Sequence, residues 1–286
     1  MTLEHFTKTS FKLSRKLTVA YSTSFSWGIK VFKPEYRDPV FAIYGFVRVA
    51  DEIVDTFHPY DKEHLLEKFT NDTWEAINSG ISTNPVLHAF QKVVNDYGID
   101  RKLISAFLKS MKMDLSNSYY NRENYDEYIY GSAEVVGLMC LKVFVDGDEK
   151  KYKELEHSAR MLGAAFQKVN FLRDIQSDIN DRGRIYLPGV HHIDYIDDYN
   201  KALLEKEVEA EFRQAFYGIV HLPIAVKLGV YSAYLYYLML FKKIKRLDVE
   251  QLRRKRVRIS NLYKFYLLMK SYFEVKVLKT TYSSER

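Results

Sequence analysis

No proline occurs between Pro85 and Pro188, and that long uninterrupted stretch constrains the fold more than any other feature of the chain. A proline inside a helix removes a backbone hydrogen bond and clashes with the preceding turn, so its absence permits long helices. Period-two alternation is scarce, whereas apolar residues recur at helical spacing throughout. Helix starts are predicted at Asp38-Pro39 and Asn84-Pro85, where a capping side chain precedes a proline suited to the first helical position. Asn124-Tyr-Asp-Glu127 has capping-box spacing. Breaks are predicted near Lys33-Pro34, His58-Pro59, Asn78-Ser-Gly80, Gly98, Gly147 and Arg182-Gly-Arg184. No linker, repeat or low-complexity tract divides the chain. The expectation is one all-α domain over residues 1–286.

Composition narrows the partners. Apolar residues make up 47% of the chain, ample for a core, and 23 Tyr stand beside 18 Phe. Most of these rings serve as core and surface, but tyrosine also suits a cavity that is apolar along its length and needs hydroxyls at one end. A net charge of +6 is compatible with diphosphates, acidic lipid or nucleic acid and chooses none of them. The single cysteine, Cys140, excludes an intrachain disulfide and a cysteine-only zinc site, which fits a reducing cytoplasm. The N-terminal segment has no apolar signal core, so secretion is not expected. Leu228–Phe241 is the longest apolar stretch; it is shorter than the roughly 20 residues that span a bilayer, yet suited to contact with a membrane surface.

Two acidic segments carry the chemistry. In Tyr44-Gly-Phe-Val-Arg-Val-Ala-Asp-Glu-Ile-Val-Asp55, the residues Ala42, Phe46, Val49 and Ile53 form an apolar stripe. Tyr44, Arg48, Asp51 and Asp55 form another, which points both aspartates the same way. Like charges at this spacing oppose each other by a few tenths of a kcal/mol (~0.2–0.5), so a solvated acidic face would tolerate them. The pattern then repeats: Gln167, Asn170, Asp174 and Asp178 line up beside the apolar stripe of Leu155, Ala159, Leu162, Phe166 and Val169. Gly163, one turn before Gln167, is expected to leave room for a ligand. Hard cations such as Mg²⁺ take oxygen ligands, typically one or two carboxylates with waters and substrate phosphates. Arg48 and Arg173, next to the acids, suit the gripping of diphosphate oxygens. Twice in one helical chain, this reads as a diphosphate–metal site.

These segments, with others in the same order, resemble the squalene/phytoene synthase family over most of the chain. Tyr21-Ser-Thr-Ser-Phe25 resembles its N-terminal S-x-S-F element, and the Tyr44–Asp55 segment its first aspartate-rich motif. Tyr128-Ile-Tyr-Gly-Ser-Ala-Glu-Val-Val-Gly137 resembles its small-residue helix. Gln167–Asp178 is similar to the second aspartate-rich motif, followed by Arg182-Gly-Arg-Ile-Tyr-Leu-Pro188. The basic run containing Arg256 and Lys264 stands where the family has its last diphosphate-binding element. Two positions depart: Tyr21 replaces a frequent His, and Glu134 replaces a frequent Gly.

The resemblance implies an isoprenoid-synthase helical bundle around a central apolar cavity, with several Mg²⁺ ions held by Asp51, Asp55, Asn170, Asp174 and Asp178. It implies head-to-head condensation of two geranylgeranyl diphosphates through a cyclopropyl diphosphate to 15-cis-phytoene, a step of carotenoid biosynthesis. Farnesyl diphosphate, giving squalene or dehydrosqualene, is the alternative donor. Substrate contacts are expected from Tyr21, Ser22, Ser24, Phe25, Tyr44, Arg48, Gln167, Asn170, Arg173, Arg184, Tyr237, Arg256 and Lys264. Tyr44 and Tyr128 are expected to act in catalysis with the four aspartates, through their π faces or their hydroxyls. NADPH is not expected: the Asp51–Asp55 and Arg182–Pro188 segments look more like phytoene synthases, and no Gly-rich dinucleotide fingerprint is present. His191-His-Ile-Asp194 reads as a surface loop rather than a metal site. Lys242–Arg246 and Arg253–Arg258 lack a groove-reading motif, so no nucleic-acid partner is expected. A non-catalytic family relative acting as an assembly or binding protein is the competing reading; the presence of both aspartate pairs argues against it.

Overall fold

The computed structural model describes residues 2–116, 119–180, 183–188, 190 and 197–283, with the side chains of 23, 24, 179, 180 and 277–283 left out. Among the described residues there is no strand, only an isolated bridge between Tyr119 and Ile185. The helices are α1 (Leu3–Tyr21), α2 (Thr23–Lys30), α3 (Pro34–Asp55), α4 (Lys62–Ser79), α5 (Pro85–Tyr97), α6 (Arg101–Ser116) and α7 (Arg122–Ile129). A short π-turn, Tyr130–Glu134, joins α7 to α8 (Val135–Phe144). Then follow α9 (Glu149–Asn180), α10 (Asp198–His221), α11 (Ile224–Ile244), α12 (Val249–Arg254) and α13 (Asn261–Ser283).

The proline-free stretch forms α5 beyond Pro85 and all of α6 to α9, and α9, at 32 residues, is the spine. It packs against α8, α10, α11 and α12. Two apolar clusters flank it. One gathers α2 to α6 and α8 around Phe46, which stacks on Phe90 with ring centroids 3.9 Å apart. The other gathers α9 to α13 around Leu172, Phe212 and Phe241. Val230 of α11 packs against both clusters. Between α9 and α10, the buried Lys168 donates to Glu207 at 2.7 Å and to Glu211 at 2.5 Å. Cys140 is buried in α8, and burial pushes its thiol up to about 12.

Several predicted helix signals shift. The Asn84-Pro85 start holds, with Asn84 Oδ1 accepting from the Val86 and Leu87 amides. The α3 start does not: Pro34 opens the helix, and Pro39 falls inside it. Pro39 is the sixth helical residue, so the Glu35 carbonyl in the first turn goes without its usual amide donor. For α7 the cap is Asn121, whose side chain accepts from the Asn124 amide at 2.8 Å; Asn124 is already inside the helix. The apolar stretch Leu228–Phe241 belongs to a 21-residue helix that is long and apolar enough to cross a membrane by length and composition. Here it is a bundle helix, with Tyr231, Tyr234, Leu235, Leu240 and Phe241 buried. The His191–Asp194 segment and Arg182 lie outside the described residues.

Gly163 leaves no space for a ligand. A Cβ there would stand 2.6 Å from the Ala133 carbonyl oxygen, and one at Gly131 would stand 2.5 Å from the Ala106 oxygen. The small residues therefore let the π-turn sit directly on α6 and α9. Glu134, at that contact, is buried and accepts from Arg160 Nε at 2.6 Å, so the departure from Gly is matched by a cation.

A second tie crosses the bundle from the end of α6. The buried Asp114 accepts from Tyr120 at 3.2 Å, Tyr128 at 2.9 Å and Tyr186 at 2.9 Å, and Arg184 lies 3.6 Å away. These partners come from the turn before α7, from α7 and from the segment after α9. Burial raises the carboxyl from 3.8 to about 6, against the pull of Arg184 and two of the tyrosines.

Two outcomes follow. Gly163→Ala must push backbone apart, so it should destabilise the protein by about 1–3 kcal/mol, read as a lower urea midpoint with an unchanged slope. Asp114 binds its proton more tightly folded than unfolded, so its contribution to stability falls as pH rises from about 4 to 6. Asp114→Asn should flatten that part of the pH–stability curve by on the order of 2 kcal/mol, measured by urea melts across the window.

Candidate functional site

The inner half of α3 buries Ala42, Phe46 and Ile53 and turns Tyr44, Arg48, Asp51 and Asp55 to the adjoining face. Tyr44 stacks on Phe25 of α2 with ring centroids 4.6 Å apart. Its phenol is pushed up to about 12, by burial first and then by Tyr237 and Asp51, while the Ser22 hydroxyl bonded to it pulls the other way. Ser22 also caps α2, accepting from the Phe25 amide at 3.3 Å. The Arg48 guanidinium lies 4.3 Å from the Tyr21 ring centroid and pairs with Glu52, a partner the sequence reading left unassigned. The aromatic ring at position 21 thus supplies a cation–π contact to Arg48. Ser24's side chain lies outside the described residues.

On α9, Asp174 is held from two directions. Arg173 Nε donates to Oδ1 at 2.8 Å, and Arg256, between α12 and α13, stands at 2.6 Å from Oδ1 and donates to Oδ2 at 3.2 Å. Burial opposes the charge on Arg173, and the bond to Asp174 more than restores it. One turn earlier, Asn170 donates to Gln167 at 3.3 Å and accepts from the Tyr237 hydroxyl at 3.2 Å. Tyr237 stacks on Phe166 at 4.0 Å. Lys264 lies over the Tyr236 ring at 5.4 Å, its ammonium pulled down by burial and by Arg173 and Arg258. Asp178, one turn beyond Asp174, is buried.

Arg184 connects α3 to the Asp114 cluster. It donates to Asp55 Oδ1 at 2.8 Å and to the Val54 carbonyl at 3.2 Å, while Lys62 donates to the same carbonyl at 2.9 Å. Two cations thus cover the C-terminal end of α3, where the helix dipole is negative. A polar cavity of about 430 Å³ opens there, lined among others by Asp55, His58, Lys62, Asp114 and Arg184. Tyr128, expected to act in catalysis through its π face or its hydroxyl, commits the hydroxyl to Asp114. Asp114 itself was missed by sequence reasoning. The available signal was an acid three residues after Met111 and seven after Phe107, on the buried stripe of α6.

Several of the predicted residues therefore fall into three groups: Tyr44 with Ser22 and Phe25, Asp174 with Arg173 and Arg256, and Asp55 with Arg184. Tyr44 and Tyr237 bring the first two groups near each other. Among the described residues no three His, Cys, Asp or Glu side chains converge tightly enough to hold an ion. The donor set still fits a hard cation, because Asp51, Asp55, Asp174 and Asp178 offer carboxylate oxygens and Asn170 an amide oxygen. In this structure guanidinium groups neutralise Asp55 and Asp174.

Comparison with known proteins bears on the family and the fold. The phytoene synthase of Arthrospira platensis is 30% identical over 275 residues, covering 83% of this chain and 84% of that protein. Phytoene synthase 1 of Solanum lycopersicum, a chloroplastic protein, is 28% identical over 92% of this chain, which spans 68% of its length. Among solved structures, a dehydrosqualene synthase in complex with ligand superposes with a TM-score of 0.80 at 21% identity, covering 95% of this chain and 98% of that one. Squalene synthase HpnC from Alicyclobacillus acidocaldarius gives 0.74 at 21% identity, covering 86% and 96%. At that identity the superpositions speak for the all-α fold alone. The squalene/phytoene synthase family model matches residues 18–263, from the end of α1 into α13 and through both acidic segments, and the chain belongs to that family.

Proposed function

We propose that this protein is a cytoplasmic prenyltransferase that joins two geranylgeranyl diphosphates head to head, releasing diphosphate, to give 15-cis-phytoene. The observation that carries the reading is the double arginine hold on Asp174, facing Tyr237 and Asn170. A carboxylate gripped by two guanidinium groups is a ready exchange site: diphosphate oxygens can take the arginines while the carboxylate turns to a cation. Support for the longer donor comes from the relatives, which are phytoene synthases over more than four fifths of this chain.

On this reading Asp51, Asp55, Asn170, Asp174 and Asp178 hold Mg²⁺, which when bound supplies Lewis-acid stabilisation of the departing diphosphate. Arg48, Arg173, Arg184, Arg256 and Lys264 bind and orient the phosphates. Tyr44, a neutral phenol that burial keeps from ionising, can donate a hydrogen bond while its ring, backed by Phe25, faces developing positive charge. Each such ring contributes about 0.5–2 kcal/mol. The Phe166–Tyr237 stack and its neighbours keep water from the cationic intermediates. Asp114 fixes Tyr128 and Tyr186 and, through Arg184, the position of Asp55. No step calls for hydride, so NADPH has no assigned role.

Incubation of the purified protein with geranylgeranyl diphosphate, Mg²⁺ and detergent should yield phytoene without NADPH, read by chromatography and mass. A C30 hydrocarbon from farnesyl diphosphate alone would reassign the donor. Absence of diphosphate release from either donor, with folded protein, would instead favour a non-catalytic relative. Asp174→Ala should keep the wild-type circular dichroism spectrum and lose at least about a hundredfold in turnover. Wild-type turnover by that variant sinks the metal assignment.

A further inference from the structure

Helix α13 has two apolar faces, and only one of them is covered. Leu267, Ser271 and Val275 are buried, with Ser271 Oγ 2.6 Å from Ser232 Oγ of α11. On the opposite side Leu262, Phe265, Tyr266, Met269, Tyr272 and Phe273 recur every three or four residues. All six are exposed, from 40% at Met269 to 81% at Leu262. Exposed apolar residues elsewhere come singly, as Ile81 does, or in pairs such as Leu3 with Phe6 and Tyr199 with Leu203. A contiguous stripe of this kind marks a contact surface rather than ordinary surface scatter.

The charges beside the stripe select the occupant. Lys270 and Lys276 are exposed, and Lys276 lies 4.5 Å from the Tyr272 ring centroid. From 261 to 276 the only acid is Glu274, which accepts from Tyr231 of α11 and lies 3.8 Å from Lys270; against Lys264, Lys270 and Lys276 it leaves the segment positive. A second copy docked on this face would set lysine against lysine. A nucleic acid would match the lysines and leave Leu262, Met269 and Phe273 in water. An anionic bilayer accepts both parts, the rings and aliphatic groups entering the acyl boundary while the lysines reach the headgroups.

We infer that α13 lies flat in the surface of an anionic membrane, its Leu262–Phe273 stripe inserted and Lys270 and Lys276 on the headgroups. The start of the same helix follows Arg256, the partner of Asp174, so on the proposed function the docked face borders the phosphate-binding arginines. The docking itself does not depend on that reading.

Flotation with phosphatidylcholine vesicles, with and without phosphatidylglycerol and in the absence of any prenyl diphosphate, tests the inference separately from activity. Wild-type protein should float with the anionic vesicles. Phe265→Ser/Phe273→Ser should bind roughly tenfold more weakly while keeping its thermal melt, and Lys270→Glu/Lys276→Glu should lose the preference for anionic lipid. Should the phenylalanine pair unfold the protein, Phe273→Trp provides a second readout. The emission of the introduced indole should shift to the blue on anionic vesicles and be quenched by brominated acyl chains. Equal flotation of wild type and variants, no flotation of wild type, or an unshifted indole emission from Phe273→Trp overturns the inference. So does a concentration-dependent dimer that the serine variant abolishes, which would assign the stripe to a second copy.

Discussion

Carboxylates one turn apart on a helix repel, and a bundle that half-buries them must supply opposite charge nearby or lose stability. Here the supply is arginine. Arg173 and Arg256 close on Asp174, and Arg184 closes on Asp55 while standing near Asp114. Much of the local architecture exists to deliver these groups. The segment between α12 and α13 brings Arg256 to α9, and the chain after α9 turns back to bring Arg184 to the end of α3. A guanidinium is a suitable partner because it is always charged and planar, and it can pass from a carboxylate to a phosphate without changing its geometry.

The Asp114 cluster adds a rigid backing. Three tyrosine hydroxyls share one carboxylate, and Tyr120, Tyr128, Phe171 and Tyr186 stack around it, Phe171 and Tyr186 with ring centroids 4.3 Å apart. Buried polar groups satisfied in this way specify one arrangement more sharply than an apolar core would. Arg184 therefore meets Asp55 from a fixed direction, and the polar cavity beside it has a firm wall.

Local periodicity made the two aspartate stripes and the all-α class legible in the sequence, because both depend on spacing within a single helix. The Asn84 cap was legible for the same reason. The α3 start was misread because two Lys/Asp-Pro pairs lay five residues apart, and only packing decides which proline opens the helix. Gly163 looked like an opening since a sequence cannot show that another backbone fills it. Asp114 and the arginine partners were illegible as a set: their contacts join positions up to 130 residues apart. A lone acid on an apolar stripe was the one trace they left.

The buried thiol of Cys140 has a practical meaning. It is the chain's only cysteine, it lies within the first apolar cluster, and burial keeps it un-ionised at any ordinary pH. A thiol reagent therefore cannot reach it without an opening of α8 away from its neighbours. The molecule carries its own clock: the rate at which this sulfur becomes modifiable times how often the half of the bundle behind the first acidic segment comes apart.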